Sequence, residues 1–324
     1  MSRRLTPNVS VGRHRERRRL AEGACFDTLV ATVPIAVVTF QFDPFAHLFG
    51  DVGIRWATVA LALVIVGVLT LAGVLARAGD LRAEDVAFVA VGVVPGAVVG
   101  ARLGFLLLQE GFYGSTPSLL LDPSLGGLEL GLAVVGGFLT GTYVASLLGA
   151  PVGRWLDVAA APVLLGLGAG KLTMLLNGAG QGRPSDASWA TVYLGPGPWG
   201  SLVPGLPSHP AQAYEGIATL AILAVLTVAL MAGAFRQRDG RFFFVAVALW
   251  SVARALVSTT WRDPVVAAGL NAGGLIAMGI ALGCVLVLLV ISVRARRAEA
   301  TATAKPADPR VELRWPDPEA GPPS

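Results

Sequence analysis

Trp56 to Ala76 reads WATVALALVIVGVLTLAGVLA, 21 residues without an ionisable side chain. Wound as a helix it reaches about 30 Å, the thickness of a bilayer's hydrocarbon core. A second run, Val265 to Val293, is uncharged for 29 residues. Working outward from these two, seven apolar segments emerge, over 54–76, 86–109, 130–149, 156–177, 212–235, 242–261 and 267–293. The expected fold is all-α: a polytopic membrane protein of seven transmembrane helices. Composition agrees, with 54% hydrophobic and only 14% charged residues. A soluble domain carries about 25% charged residues, so this chain lacks the charge to cover a soluble surface. Two cysteines, Cys25 and Cys284, exclude a disulfide scaffold and a Cys-rich metal site, and no metal or cofactor is expected.

The remaining sequence divides around these segments. Residues 1–27 read as a basic disordered tail, 28–293 as an integral membrane domain, and 294–324 as a disordered cytoplasmic tail. The first tail holds Arg3, Arg4, Arg13, Arg15, Arg17, Arg18 and Arg19. No aromatic side chain is interleaved with them, which favours a solvated segment near anionic lipid over nucleic-acid binding. Thr28 to Phe42 is uncharged but only 15 residues long. It is too short to span and reads as interfacial or re-entrant.

Basic residues orient the bundle. Loops after the odd-numbered spans carry nine arginines, whereas the opposite loops carry two, Arg183 and Arg262. Positive charge stays inside, so the C-terminus is expected in the cytoplasm and, seven being odd, the N-terminus outside. The Arg-rich tail lies about 30 residues before the first span, beyond the usual reach of that rule.

Ionisable residues inside spans cost about 3 kcal/mol each on insertion scales and point to function. Arg102, Lys171 and Arg254 interrupt spans two, four and six, and His209, Gln212, Tyr214 and Glu215 cluster where span five begins. Helix rise puts the three cations roughly 24, 22 and 18 Å from the cytoplasmic edge. Their shared depth in the outer half suggests one pocket for an anionic group at headgroup level. The competing reading is three long side chains snorkelling to the interface.

Several motifs carry a family resemblance. SHPAQAYE (208–215) resembles the H-P-x-Q-x-Y-E signature of prolipoprotein diacylglyceryl transferases. GRPSDASWA (182–190) is similar to that family's G-R-P-T-D-x-P-W-A. Phe42-Asp43-Pro44, Ile54-Arg55-Trp56 and GARLG (100–104) resemble its F-D-P, I-R-W and G-A-R-L-G. Gly136-Gly137 falls at its H-G-G and Arg254 at the Arg of its sixth helix. The chain departs from the pattern at Ala57, Val135, Lys171, Met174, Ala179 and Ser258, where the family has Tyr, His, Arg, Asn, Glu and an acid.

The resemblance implies transfer of a diacylglyceryl group from phosphatidylglycerol to the lipobox cysteine of a preprolipoprotein at the plasma membrane. The nucleophile then belongs to the substrate, and the protein supplies cations for the phosphate and help in ionising the thiol. On that basis Lys171 and Arg254 contact the phosphate, with Arg102 in the same pocket. Asn177 and Arg183 bind the outer headgroup. Gln212, Tyr214 and Glu215 complete the substrate site, and His209 is the candidate base. The alternatives are a family member that binds lipid or lipoprotein without transfer, and a transporter, which would continue its polar groups through the inner half. Reporter fusions test the orientation. One after Arg241 should score cytoplasmic and one near Gly195 exterior, and a cytoplasmic signal near Gly195 would overturn it.

Overall fold

The structure, a computed structural model, describes residues 37–49, 52–108 and 127–304. The expected basic tail and most of the expected re-entrant segment lie outside them. In chain order the elements are β1 Val38–Phe40, β2 Phe45–Phe49, β3 Val52–Arg55, α1 Trp56–Ala78, α2 Asp85–Leu108, α3 Leu130–Leu147 and α4 Val152–Thr173. A single 3-10 turn, Met174–Leu176, extends α4, and β4 Thr191–Tyr193 follows. Then come α5 Ala211–Met231, α6 Arg241–Ser258, β5 Val265–Ala267, β6 Leu270–Asn271 and α7 Ala272–Ala304. Among the described residues seven helices are long and apolar enough to cross a membrane, so this is a multi-pass membrane protein.

Three expectations need correction. The protein is mostly helical but not all-α, because the described residues include six short strands in the segments that join the helices or precede α1. The last helix begins after the β5–β6 hairpin, at Ala272 rather than at 267. It also runs to Ala304, so the expected disordered tail cannot start at 294. Its added residues, Arg294 to Ala304, are rich in Arg and Ala, strong helix formers that carry the helix beyond its apolar run.

Helix α6 forms the middle of the core. Phe242, Phe243, Phe244 and Trp250 are buried against Leu164 of α4 and Leu226 of α5, and Phe138 of α3 stacks on Phe243 at 5.6 Å. Its N-terminus is capped from α4: Asp157 accepts the Gly240 and Phe242 N–H groups at 3.0 and 3.1 Å. This satisfies backbone donors that a helix start otherwise leaves open. Helix α1 is more peripheral, with Leu63, Ile65 and Val66 exposed for lipid contact.

Helices α2 and α3 approach through glycine. A Cβ on Gly96 would run into the Gly136 carbonyl, and one on Gly136 into the Gly96 carbonyl. A Cβ on Gly100 would meet the Leu132 carbonyl. Lipid gives helices no hydrophobic reason to associate, so close backbone contact supplies the attraction. Gly136→Leu should therefore lower the apparent melting temperature of the detergent-solubilised protein by several degrees, an overpacking cost of about 1–3 kcal/mol or more. Gly73→Leu on α1, where a Cβ meets nothing within 4 Å, should leave it unchanged. Equal behaviour of the two variants would contradict this packing.

β1 pairs in parallel with β4, joining Val38 to Thr191 and Phe40 to Tyr193 across some 150 residues. Phe40 stacks on Tyr193 at 4.8 Å, and Trp199 leans on both Tyr193 and Phe42. Loop 177–210 thereby lies over the ends of α4, α5 and α6.

Candidate active site

Because the chain alternates direction, α4 and α6 end at the level where α3 and α5 begin. Four ionisable side chains meet there. Arg254, near the end of α6, donates from Nη1 to Glu215 Oε1 at 2.6 Å and from Nη2 to Glu129 Oε1 at 3.0 Å. Lys171, in the last turn of α4, places Nζ 3.0 Å from Glu215 Oε2. Glu215, Glu129 and Arg254 are 1%, 2% and 5% exposed at the side chain, whereas Lys171, at 18%, is the most accessible of the four. Trp261 covers the group: its ring centre lies 4.7 Å from the Arg254 guanidinium carbon and 6.0 Å from Lys171 Nζ, in cation–π range. Two cations offset two carboxylates, the condition under which buried charge is tolerated.

Glu129 has a second task. Its carboxylate accepts the N–H groups of Gly131 and Leu132 at 2.7 and 2.6 Å, capping α3. Gly104 of α2 makes room for it, since a Cβ there would stand 2.7 Å from the Glu129 Cβ. Glu129 was not among the residues singled out from sequence. It sits one position before the expected third span, and the signal that finds it is the helix start, where an acidic cap is favoured.

The cluster opens into a polar chamber of about 390 Å³. Glu129, Lys171, Gln212, Glu215 and Arg254 all line it, together with Trp261, Arg262 and Asp263 from the segment after α6. Gln212 donates its amide to Tyr193 Oη at 3.3 Å, and its own Oε1 is buried without a partner. Burial pushes the Tyr193 phenol up to about 12, so it remains protonated at neutral pH. Lys171 also lines a cleft of about 360 Å³ on the α1 side, with Ala57, Met174 and Asn177. That cleft shares Leu130, Gly166 and Leu167 with a third, almost wholly apolar cavity of about 320 Å³ between the α2–α3 pair and α4. Apolar space thus leads along α4 to Lys171, and Lys171 separates it from the polar chamber.

The other expected site residues stand apart from the chamber lining. Arg102 is half-buried on α2, 5.8 Å from the ring of Phe105, and it is Phe105 that faces the chamber. Equal depth did not bring Arg102 in, because depth says nothing of which way a helix face turns. Asn177 faces the α1-side cleft and accepts the Ala179 N–H at 2.9 Å. Arg183 is exposed and donates from Nε to the Trp261 carbonyl at 2.6 Å, tying loop 177–210 to the end of α6. Arg262 makes the reverse tie, donating to the Gly182 carbonyl and to Ser208 Oγ at 2.6 and 3.1 Å. His209 is half-buried with Nδ1 3.2 Å from Tyr214 Oη, which also accepts the Trp189 indole N–H at 2.7 Å. Ser258 is fully buried against Gly274 and bonds the Ala255 carbonyl, turned from the chamber.

Comparison with known proteins bears on the same stretch. Residues 44–293 match the family described as prolipoprotein diacylglyceryl transferase. A phosphatidylglycerol–prolipoprotein diacylglyceryl transferase of Geobacter sulfurreducens is 32% identical over 242 residues, 72% of this chain and 87% of the relative. The transferase of the same name from Agrobacterium fabrum is 27% identical over 292 residues, covering 85% of this chain and all of the relative. One from Nostoc sp. is 26% identical over 259 residues, 78% and 90% of the two chains. The matched residues take in all of α1 to α6 and most of α7, including the four-charge cluster and its chamber. On the extent of that match, and with its motifs standing in order along it, the chain belongs to the prolipoprotein diacylglyceryl transferase family.

Proposed function

We infer that the protein transfers the diacylglyceryl group of phosphatidylglycerol to the lipobox cysteine of a prolipoprotein, the first step of lipoprotein maturation. The observation that carries this reading is the position of Lys171 between apolar cavities and a polar chamber backed by Arg254. A lipid with tails along α4 brings its phosphate to Lys171. The thiol sulfur attacks the glyceryl carbon, a carbon–sulfur bond forms, and the carbon–oxygen bond to phosphate breaks. Glycerol phosphate leaves with added negative charge, which fixed cations in a water-poor site stabilise. Lys171 presents a compact point charge rather than a planar fork, so it binds one phosphate oxygen rather than two.

The loop charges support an outward chamber, with the N-terminus outside and the C-terminus in the cytoplasm of a plasma membrane. Residues 28–293 then form the transferase unit. Arg102, Asn177, Arg183 and Tyr214 belong to its surround, where the headgroup and the acceptor peptide enter. His209, hydrogen-bonded to Tyr214, is set back from the chamber lining.

A second reading is a family member that binds lipid without transferring it. Val135 at the histidine of the family's H-G-G favours it, because valine takes no proton. Thioether formation on a lipobox peptide in phosphatidylglycerol vesicles decides between the two. The protein should form the thioether, and Lys171→Ala should slow it about 10²–10³-fold, the usual loss for one charge-stabilising donor. A change at Arg77, at the other end of the bundle, should have no effect. Bound lipid with no product would favour the second reading.

A further inference from the structure

The charge count of the cluster has a chemical consequence. Lys171 and Arg254 are already matched by Glu129 and Glu215. A phosphate monoanion entering the chamber adds one negative charge to a balanced, buried group. A carboxylate must then give up a cation. Glu129 is the more firmly held, since its two oxygens accept from Gly131, Leu132 and Arg254. Glu215 Oε2 faces Lys171 and makes no other bond among the described residues, and Lys171 is the most accessible member. The Lys171–Glu215 pair is the one that yields.

Resting on the transferase reading above, we propose that Glu215 is the proton acceptor for the substrate thiol, switched on when the donor phosphate draws Lys171 away from it. Glu215 faces Lys171 from α4 and Arg254 from α6, and Glu129 stands behind Arg254 on α3. Arg262 and Asp263 also line the chamber, while α2 and α7 present Phe105, Leu108 and Gly273 there, none of them titratable. Before lipid binds, both Glu215 oxygens are occupied by cations. With phosphate on Lys171, Glu215 Oε2 is left without a partner and takes a proton. The thiol supplies that proton as sulfur attacks carbon. When the carbon–oxygen bond breaks, the leaving phosphate becomes a dianion and takes the proton back from Glu215. Thiol and phospholipid anion become thioether and glycerol phosphate monoanion, with Glu215 ionised again to re-pair with Lys171. His209 bonds Tyr214 outside the chamber lining and has no part in this exchange.

The experiment compares Glu215→Gln with His209→Gln in the full chain, using phosphatidylglycerol vesicles. Lipid binding and thioether formation are both read, with cysteine and selenocysteine lipobox peptides. Glu215→Gln removes a competitor for Lys171, so phosphatidylglycerol should bind at least as tightly as in the unmutated protein. Its turnover on the cysteine peptide should fall about 10²–10⁴-fold, the usual loss of a general base. The selenocysteine peptide, already ionised at neutral pH, should recover most of that loss. His209→Gln should keep turnover within a few-fold. Undiminished turnover in Glu215→Gln would overturn the proposal. So would a large loss in His209→Gln rescued by the selenol, whether or not the Glu215 variant folds. A loss in Glu215→Gln that the selenol does not rescue, with lipid binding also lost, would mean that Glu215 only holds the cations in place, and would equally overturn it. No thioether from the unmutated protein with either peptide would instead defeat the transferase reading itself.

Discussion

A buried arginine held between two carboxylates is the contact on which the rest of the site depends. Arg254 cannot lose its charge, and at membrane depth it has little water to turn to. Glu129 and Glu215 reach it from the starts of α3 and α5, and Lys171 completes the balance from the end of α4. Removing one partner of such a group typically costs about 3–5 kcal/mol, because a charge is left buried alone. The cluster therefore holds four helix ends at one level. It also fixes the chamber's shape, since Trp261 lies across both cations and Gly273 leaves space for its ring.

The same arrangement sorts polar space from apolar space. Below Lys171 the helices are joined by small residues and leave apolar cavities between the α2–α3 pair and α4. Above it, strands and loop 177–210 enclose polar groups. Arg183 and Arg262 reach across in opposite directions to lock that loop to the end of α6. A molecule with an apolar body and an anionic joint fits this boundary, and the joint falls at Lys171, the most accessible of the four clustered charges.

Much of this was legible in the sequence, and the limits follow from what a linear count measures. Spans read well because bilayer thickness fixes helix length and because charges are rare. Lys171 and Arg254 line one chamber from two helices, and rise per residue is what gives their common depth. Arg102 shares that depth yet stays outside the chamber lining, since depth carries no information about rotation about the helix axis. Within α5, Gln212 and Glu215, three residues apart on one face, both line the chamber. Tyr214 turns instead to His209 and Trp189. Glu129 lay one residue outside the expected span and was passed over. The strands were not legible at all: they are two to five residues long, and β1 meets β4 across a separation that no local pattern encodes. The helical extension to Ala304 was missed because an apolar count stops at the first arginine, whereas helix propensity does not.

The most direct test of the account is a structure with a phosphonate analogue of phosphatidylglycerol, in which carbon replaces the oxygen to be cleaved. The account predicts a phosphonate oxygen on Lys171, with Lys171 turned away from Glu215 and with Arg254 still joined to Glu129. The tails should follow α4 into the apolar cavities. A bound analogue that leaves the Lys171–Glu215 pair intact, with its headgroup held elsewhere, would contradict it.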